Sequence, residues 1–163
     1  ILLAQNGADT AHTLRTGGAC LTGTKQALIG AGAVTAEEMA TFNEAHQLAH
    51  FLEQHPERFI EITHVQVDGN TARELTAGDL SSLPAGCIVI FGNSNRTDVP
   101  GHAAITSGNG QMYADEVDNS NWDNFTTRNE SQDGKGEHGY VRVFRLNPAY
   151  FDIDINGKAL IRK

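Results

Sequence analysis

The sequence predicts a single α+β domain in which helices come first and an antiparallel sheet follows. The chain has 163 residues, 39 % of them hydrophobic, which is enough apolar material for one core. Apolar residues recur at helical spacing in the first third, whereas short β-prone runs divided by Gly, Asn, Asp and Pro fill the chain from Phe59 onward. Residues 1–163 are therefore expected to form one domain of helices packed on a sheet.

Two or three helices are expected before the first strand. Cys20 follows a glycine-rich segment and opens a helical pattern that ends at the stop Gly30-Ala31-Gly32. The segment Thr35-Ala36-Glu37-Glu38 has the Thr-x-x-Glu form of a capping box, which predicts a helix from there through about Leu52. The apolar positions of this helix predict one buried face: Met39, Phe42, Ala45, Leu48, Ala49 and Leu52.

Short runs of β-prone residues predict an antiparallel sheet in the second half. Gly108-Asn109-Gly110 lies between two of the runs and predicts a tight hairpin turn. The predicted strands are the alternating Ile60, Ile62, His64 and Gln66, then residues 87–91, 102–105, 111–113 and 141–144.

Charge and hydropathy narrow the classes of partner. Twelve Lys and Arg against twenty Asp and Glu give a net charge of −8, which disfavours nucleic acid and anionic membrane surfaces. No stretch reaches the roughly 18 to 20 apolar residues that span a bilayer. The apolar residues 1–5 fit either the remnant of a signal peptide or an arbitrary chain boundary.

The two cysteines, Cys20 and Cys87, would allow one disulfide in an oxidising compartment, but their surroundings differ. Cys87 lies in the apolar run of residues 85–91, which predicts a buried strand where Cys behaves as a small hydrophobe. Cys20 stands at the start of a predicted helix, where a thiol becomes reactive. The contrast favours two separate roles over a disulfide.

Three residues can supply the parts of a nucleophilic cysteine site. The unpaired N–H groups and the dipole of a helix start would stabilise a thiolate at Cys20. His102 begins a predicted strand directly after a loop, and Asp115 lies on the other arm of the hairpin turned at Asn109-Gly110. Because Asp115 and His102 come roughly opposite each other on adjacent strands, the carboxylate is expected to orient the imidazole.

The motifs around these residues resemble those of the CHAP and NlpC-type papain-like cysteine peptidases that cut peptidoglycan peptides, especially bacterial amidase toxins such as type VI secretion effectors, and phage lysins. Residues 18–32 resemble the helix motif Gly-x-Cys-Ala-x-x-Val-(Arg/Lys)-x-Ala-Leu-x-x-x-Gly. Residues 83–90 and 101–104 are similar to the motifs Leu-Pro-x-Gly-Asp-aliphatic-x-Val and Gly-His-aliphatic-Ala. Tyr113-Ala114-Asp115 resembles the next element, an aromatic followed two residues later by Asp, and Trp122 stands where such sequences often carry Trp.

The resemblance covers residues 14–122 and leaves residues 123–163 as a subfamily-specific part. Leu21-Thr22-Gly23 departs from the helix motif, and a Gly in the first turns costs about 1 kcal/mol of helix propensity. Cys87 stands where the family usually has Asp.

The resemblance implies a papain-like fold with Cys20 as nucleophile, His102 as general base and acid, and Asp115 as the orienting residue. The implied activity is hydrolysis of amide bonds in the stem or cross-link peptides of peptidoglycan, by an antibacterial effector or a lysin acting in the bacterial periplasm or cell wall. No cofactor is implied, and a small immunity protein that plugs the cleft is the expected partner of a toxin.

Two other functions stay open at this point. A papain-like deamidase or protease acting on a host protein would use the same residues on another amide. A non-catalytic binding module would keep the fold without a reactive thiol, so fast labelling of a thiolate near neutral pH separates that reading from an enzyme.

Two motifs suggest metal sites, and each has a stronger structural interpretation. His46 and His50 are four residues apart on a predicted helix, but no further ligand is evident at a suitable spacing. Residues 152–157 open like a calcium loop, yet the twelfth position is Lys163, where a bidentate Glu is needed. Alternating isoleucines around Asn156-Gly157 favour a terminal β-hairpin instead.

Overall fold

The structure, a computed structural model, describes residues 3, 5–7, 20–41, 43–67, 83–93, 101–109, 111–113, 117–118, 139–153 and 159–161. Its order of elements confirms the α+β prediction, with helices before the sheet. The helices are α1 (Cys20–Gly30), α2 (Ala36–Met39) and α3 (Ala45–Glu53). The strands are β1 (Phe59–Val67), β2 (Ile88–Asn93), β3 (His102–Thr106), β4 (Met112–Tyr113), β5 (Val117–Asp118), β6 (Gly139–Leu146), β7 (Phe151–Ile153) and β8 (Ala159–Ile161).

Six of these strands form one antiparallel sheet in the order β1-β6-β2-β3-β4-β5. Strand β6, which comes late in the chain, lies between β1 and β2. The sheet is therefore complete only when segments far apart in the sequence have paired. The hairpin predicted at Gly108-Asn109-Gly110 joins β3 to β4, with Thr106 opposite Met112. Gly108 has a φ of +87°, a conformation that favours glycine and so fixes the turn at this residue.

The helix predicted from Thr35 through Leu52 is wrong as one element, because it is two helices. The capping box is present: Thr35 N–H donates to Glu38 at 2.9 Å and Glu38 N–H donates to the Thr35 hydroxyl at 3.1 Å. Helix α2 nevertheless ends at Met39. The side-chain oxygen of Gln47 accepts the N–H groups of Asn43 and Glu44 at 2.9 and 3.1 Å, which builds a second helix start at Glu44. The predicted core residue Phe42 lies outside the described residues.

One face of the sheet packs against the helices, and we call it the helix face. The β2–β3 register pairs Ile88 with Ile105 and Ile90 with Ala103, and alternation along each strand places these side chains on the same face. All four are buried in one cluster with residues of α1 and α3 that include Leu28, Leu48 and Leu52. The opposite face, which carries the buried Val89, Phe91 and Ala104, is called the far face.

Two buried arginines connect helices and strands through ion pairs with glutamates. Arg58, 6 % exposed, bonds both carboxylate oxygens of Glu38 at 3.1 and 2.6 Å and lies over the rings of Phe51 and Phe59. It therefore ties α2 and α3 to the start of β1. Arg142 of β6 bonds both carboxylate oxygens of Glu61 in β1 at 2.8 and 2.6 Å. Such paired, planar contacts combine charge with fixed geometry.

The C-terminal residues form the predicted hairpin. Strand β7 pairs with β8 so that Phe151 lies opposite Ile161 and Ile153 opposite Ala159. The turn expected at Asn156-Gly157 lies outside the described residues.

Candidate functional site

Cys20 is the first residue of α1, as the sequence predicts. The helix has no acidic residue in its first turn, so no carboxylate there opposes a thiolate at its positive end. The buried positions of the helix, Leu21, Gly23, Thr24, Ala27 and Leu28, recur along one side, and this side faces the sheet. The Cys20 side chain lies outside what the structure describes, so no distance joins its sulfur to another group.

His102 is the first residue of β3, again as the sequence predicts, and Gly101 sets its position. Gly101 has a φ of +71°, and a Cβ there would overlap the carbonyl oxygen of Phe91. The turn into β3 therefore requires glycine. His102 pairs with Phe91 of β2, and their ring centroids are 5.9 Å apart. The His102 side chain is partly exposed as a whole, while its Nε2 atom is shielded from solvent.

Helix α1 packs on β3. At the far end of the helix, a Cβ on Gly30 would overlap the side-chain oxygen of Asn6. The next residue, Gly7, lies against β3, since a Cβ there would be 3.3 Å from the Cβ of Ile105. Through Asn6 and Gly7, the end of α1 is thus near the end of β3.

The alternation of side chains along β3 restricts where Cys20 and His102 could make contact. His102 pairs with Phe91 and therefore shares the far face with it, whereas Ala103 and Ile105 point toward the helices. A Cys20–His102 contact consequently has to form at the end of the sheet, around the first residue of β3, and not through its middle.

Asp115, the third predicted site residue, lies outside the described residues, and so does Trp122. Strand β4, on which the expectation for Asp115 was based, ends at Tyr113, which pairs with Ile105 on one side and Val117 on the other. The orienting role of Asp115 stays a prediction.

Helix α3 contributes to this end of the sheet, which sequence reasoning missed. A Cβ on Gly101 would lie 3.4 Å from the Cβ of Ala45, the first residue of α3. Ala45 is flanked by Glu44 and His46, whose side chains are 3.2 Å apart. The first residues of α3 and β3 thereby lie close together. No local signal in the sequence marks the contact between Ala45 and Gly101, because it joins residues far apart along the chain.

The ionisable groups differ in how burial affects them. Burial raises the pKa of the Cys87 thiol, which keeps it protonated, and Cys87 is a free, buried cysteine as its apolar context predicts. Burial also lowers the pKa of Lys25, which lies five residues after Cys20 in α1. The raised pKa of its thiol makes Cys87 a poor nucleophile.

The histidines suggested as a metal pair have protein partners. His46 lies beside Glu44, and the Nε2 of His50 is 3.0 Å from the side-chain nitrogen of Gln54. Within the described ranges, no three His, Cys, Asp or Glu side chains are grouped closely enough to hold a metal ion.

Comparison of the chain with family models, with curated proteins and with solved structures found no match. Among the helices of the described residues, none combines the length and the apolar composition that crossing a bilayer requires.

Proposed function

We propose that this protein is a cysteine amidase or endopeptidase of papain-like architecture that hydrolyses amide bonds in the stem or cross-link peptides of peptidoglycan. The observation that carries the proposal is the packing of α1 on β3, whose first residues are Cys20 and His102. The three sequence motifs described above support the substrate class.

In the proposed reaction His102 takes the proton of the Cys20 thiol, and the thiolate attacks the carbonyl carbon of the scissile amide. Backbone N–H groups at the start of α1 hold the oxyanion of the tetrahedral intermediate. His102 then returns its proton to the leaving amine, which leaves a thioester on Cys20. Water, deprotonated by His102, hydrolyses the thioester and releases the carboxylate product. Asp115 orients the imidazole through these steps.

The biological setting proposed with this activity is an antibacterial effector or a lysin that is secreted or delivered to the bacterial periplasm or cell wall. For an effector, the partner is an immunity protein that covers the end of the sheet where α1 and β3 begin. The net charge of −8 of the whole chain favours a neutral or basic partner over an acidic one.

The experiment that tests this function is digestion of purified sacculi, of both meso-diaminopimelate and lysine type, with mass spectrometry of the new amine and carboxyl ends. Cys20→Ala and His102→Ala should each lower the rate by about 10³-fold or more, because nucleophile and base act as a unit. Cys87→Ala is the matched control, since it removes the other thiol and should keep most of the activity. Unchanged wall cleavage by Cys20→Ala would falsify the proposal. Cleavage of a protein amide without wall cleavage would assign the site to another substrate.

A further inference from the structure

The glutamates that form ion pairs in the described part of the chain are of two kinds. Those of the first kind lie 2.6 to 3.9 Å from a buried arginine: Glu38 and Glu57 beside Arg58, and Glu53 and Glu61 beside Arg142. Glu44 is of the second kind. Its carboxylate is 3.2 Å from His46, and no lysine or arginine of the described residues lies within ion-pair distance of it. Among these residues, the Glu44 carboxylate thus faces an imidazole and not a guanidinium.

Glu44 lies close to the end of the sheet at which β3 begins. It directly precedes Ala45, and a Cβ on Gly101 would lie 3.4 Å from the Cβ of Ala45. His102 directly follows Gly101. Glu44 and His102 are therefore each one residue, or about 3.8 Å between Cα atoms, away from this contact. A substrate residue that adjoins an amide held at His102 is within reach of the Glu44 carboxylate.

The Glu44 carboxylate is open to a ligand and is held from one side. Its side chain is 36 % exposed, and the Nδ1 atom of His46 contacts one of its two oxygens. An ionised carboxylate accepts hydrogen bonds at both oxygens and donates none. The group that complements it is a cation with several N–H donors, and a primary ammonium is such a group.

We propose that Glu44 is a specificity-determining residue that binds a primary ammonium group of the substrate, with His46 as a positioning residue for its carboxylate. This inference rests on the proposed function, because it takes the scissile amide to lie at His102. The diamino acids of wall peptides, meso-diaminopimelate and lysine, have a side-chain amine that is free in an uncross-linked stem and is an amide in a cross-link. The site consequently prefers stem peptides in which this amine is free.

The test is the affinity of the whole chain carrying Cys20→Ala for a stem peptide whose diamino acid has either a free or an acetylated side-chain amine. Calorimetry should show about tenfold weaker binding of the acetylated peptide, because acetylation removes the charge and two of the three N–H donors. Adding Glu44→Gln should abolish this preference by weakening only the free-amine peptide, since Gln keeps an oxygen acceptor and loses the charge. Glu37→Gln is the matched control, because Glu37 is an exposed glutamate in the first turn of α2, and the preference should remain.

Equal affinities of the Cys20→Ala protein for the two peptides would overturn the inference, and so would the absence of binding to either. A preference that survives Glu44→Gln would overturn it as well, because another group would then hold the ammonium. The comparison of the two peptides needs no substitution at Glu44, so it decides the matter even if thermal unfolding shows that Glu44→Gln does not fold. Binding is measured without turnover. Failure here is thus separate from failure of the proposed function, which shows as wall cleavage by Cys20→Ala.

Discussion

Two buried threonines of this protein differ in how their hydroxyl groups are used. Thr106, 3 % exposed, accepts the N–H of Cys87 at 2.9 Å and donates to the carbonyl oxygen of Pro84 at 2.7 Å. Its backbone also pairs with Gly86 and Cys87, so it fixes the segment that leads into β2. Thr24, 0 % exposed, makes no comparable bond within the described residues. Burial is the same at both sites, whereas hydrogen bonding is not.

The difference separates polar groups whose hydrogen bonds hold the fold from a polar group that makes no described hydrogen bond. Arg58 is of the first kind, since its guanidinium bonds Glu38 twice, reaches the carbonyl oxygen of Ala33 at 3.4 Å and is covered by two phenylalanine rings. Thr24 lies one turn from the residue proposed as nucleophile. Strain or unmet hydrogen bonding concentrates at functional sites, and its cost is offset elsewhere in the fold.

The largest effect on stability is expected where the buried charge of Arg58 loses its carboxylate partner. Glu38→Ala leaves the guanidinium of Arg58 buried without its carboxylate and removes half of the α2 capping box, so we expect a loss of about 3 kcal/mol. Urea unfolding measures it. Glu37→Ala is the control, because Glu37 is an exposed acid in the same turn. A loss no larger than that of Glu37→Ala would show that Arg58 finds other partners.

The same substitution at the two threonines should have effects of different sign. Thr106→Val leaves the Cys87 N–H and the Pro84 carbonyl without the hydroxyl and should cost about 2 kcal/mol. Thr24→Val removes a hydroxyl that has no described partner and should leave stability unchanged or raise it by up to about 1 kcal/mol. Urea unfolding of both variants makes the comparison. An equal loss at both positions would mean that the Thr24 hydroxyl is part of the core.

The parts of the fold that sequence predicted correctly are those set by local chemistry. Thr35 and Glu38 satisfy each other within one turn, so the capping box is readable from four residues. The break after Met39 was missed because the Gln47 amide competes locally for the N–H groups of Asn43 and Glu44, and hydrophobic spacing does not register that competition. Placing β6 between β1 and β2 requires contacts between distant segments, which no local pattern specifies.

In the candidate site, too, the features set by local sequence were predicted and the tertiary contacts were not. The positions of Cys20 at a helix start and His102 at a strand start follow from Gly17-Gly18 before the first and Gly101 before the second. That Ala45 meets Gly101 is a tertiary contact with no local signature. Thr24 is visible in the sequence as a hydroxyl in an apolar stripe, but its lack of a hydrogen bond follows only from how α1 is packed.

Acid titration tests the Glu38–Arg58 pair, which belongs to the polar groups with hydrogen-bond partners. Its expected effect is the smallest of the predictions. The hydrogen bond from Arg58 is the main cause that lowers the pKa of Glu38 from 4.5 to about 2 in the folded protein. Because the unfolded chain takes up a proton at Glu38 before the folded protein does, this stabilisation is complete above about pH 4.5 and is lost as the pH falls toward 2. The carboxylate is 27 % exposed, so solvent screens the pair and we expect a loss of about 1 kcal/mol. Urea midpoints of the wild type and of Glu38→Gln should therefore converge as the pH falls, since the other carboxylates titrate in both proteins. A difference that stays constant down to pH 2 would show that the pair with Arg58 contributes nothing to acid stability.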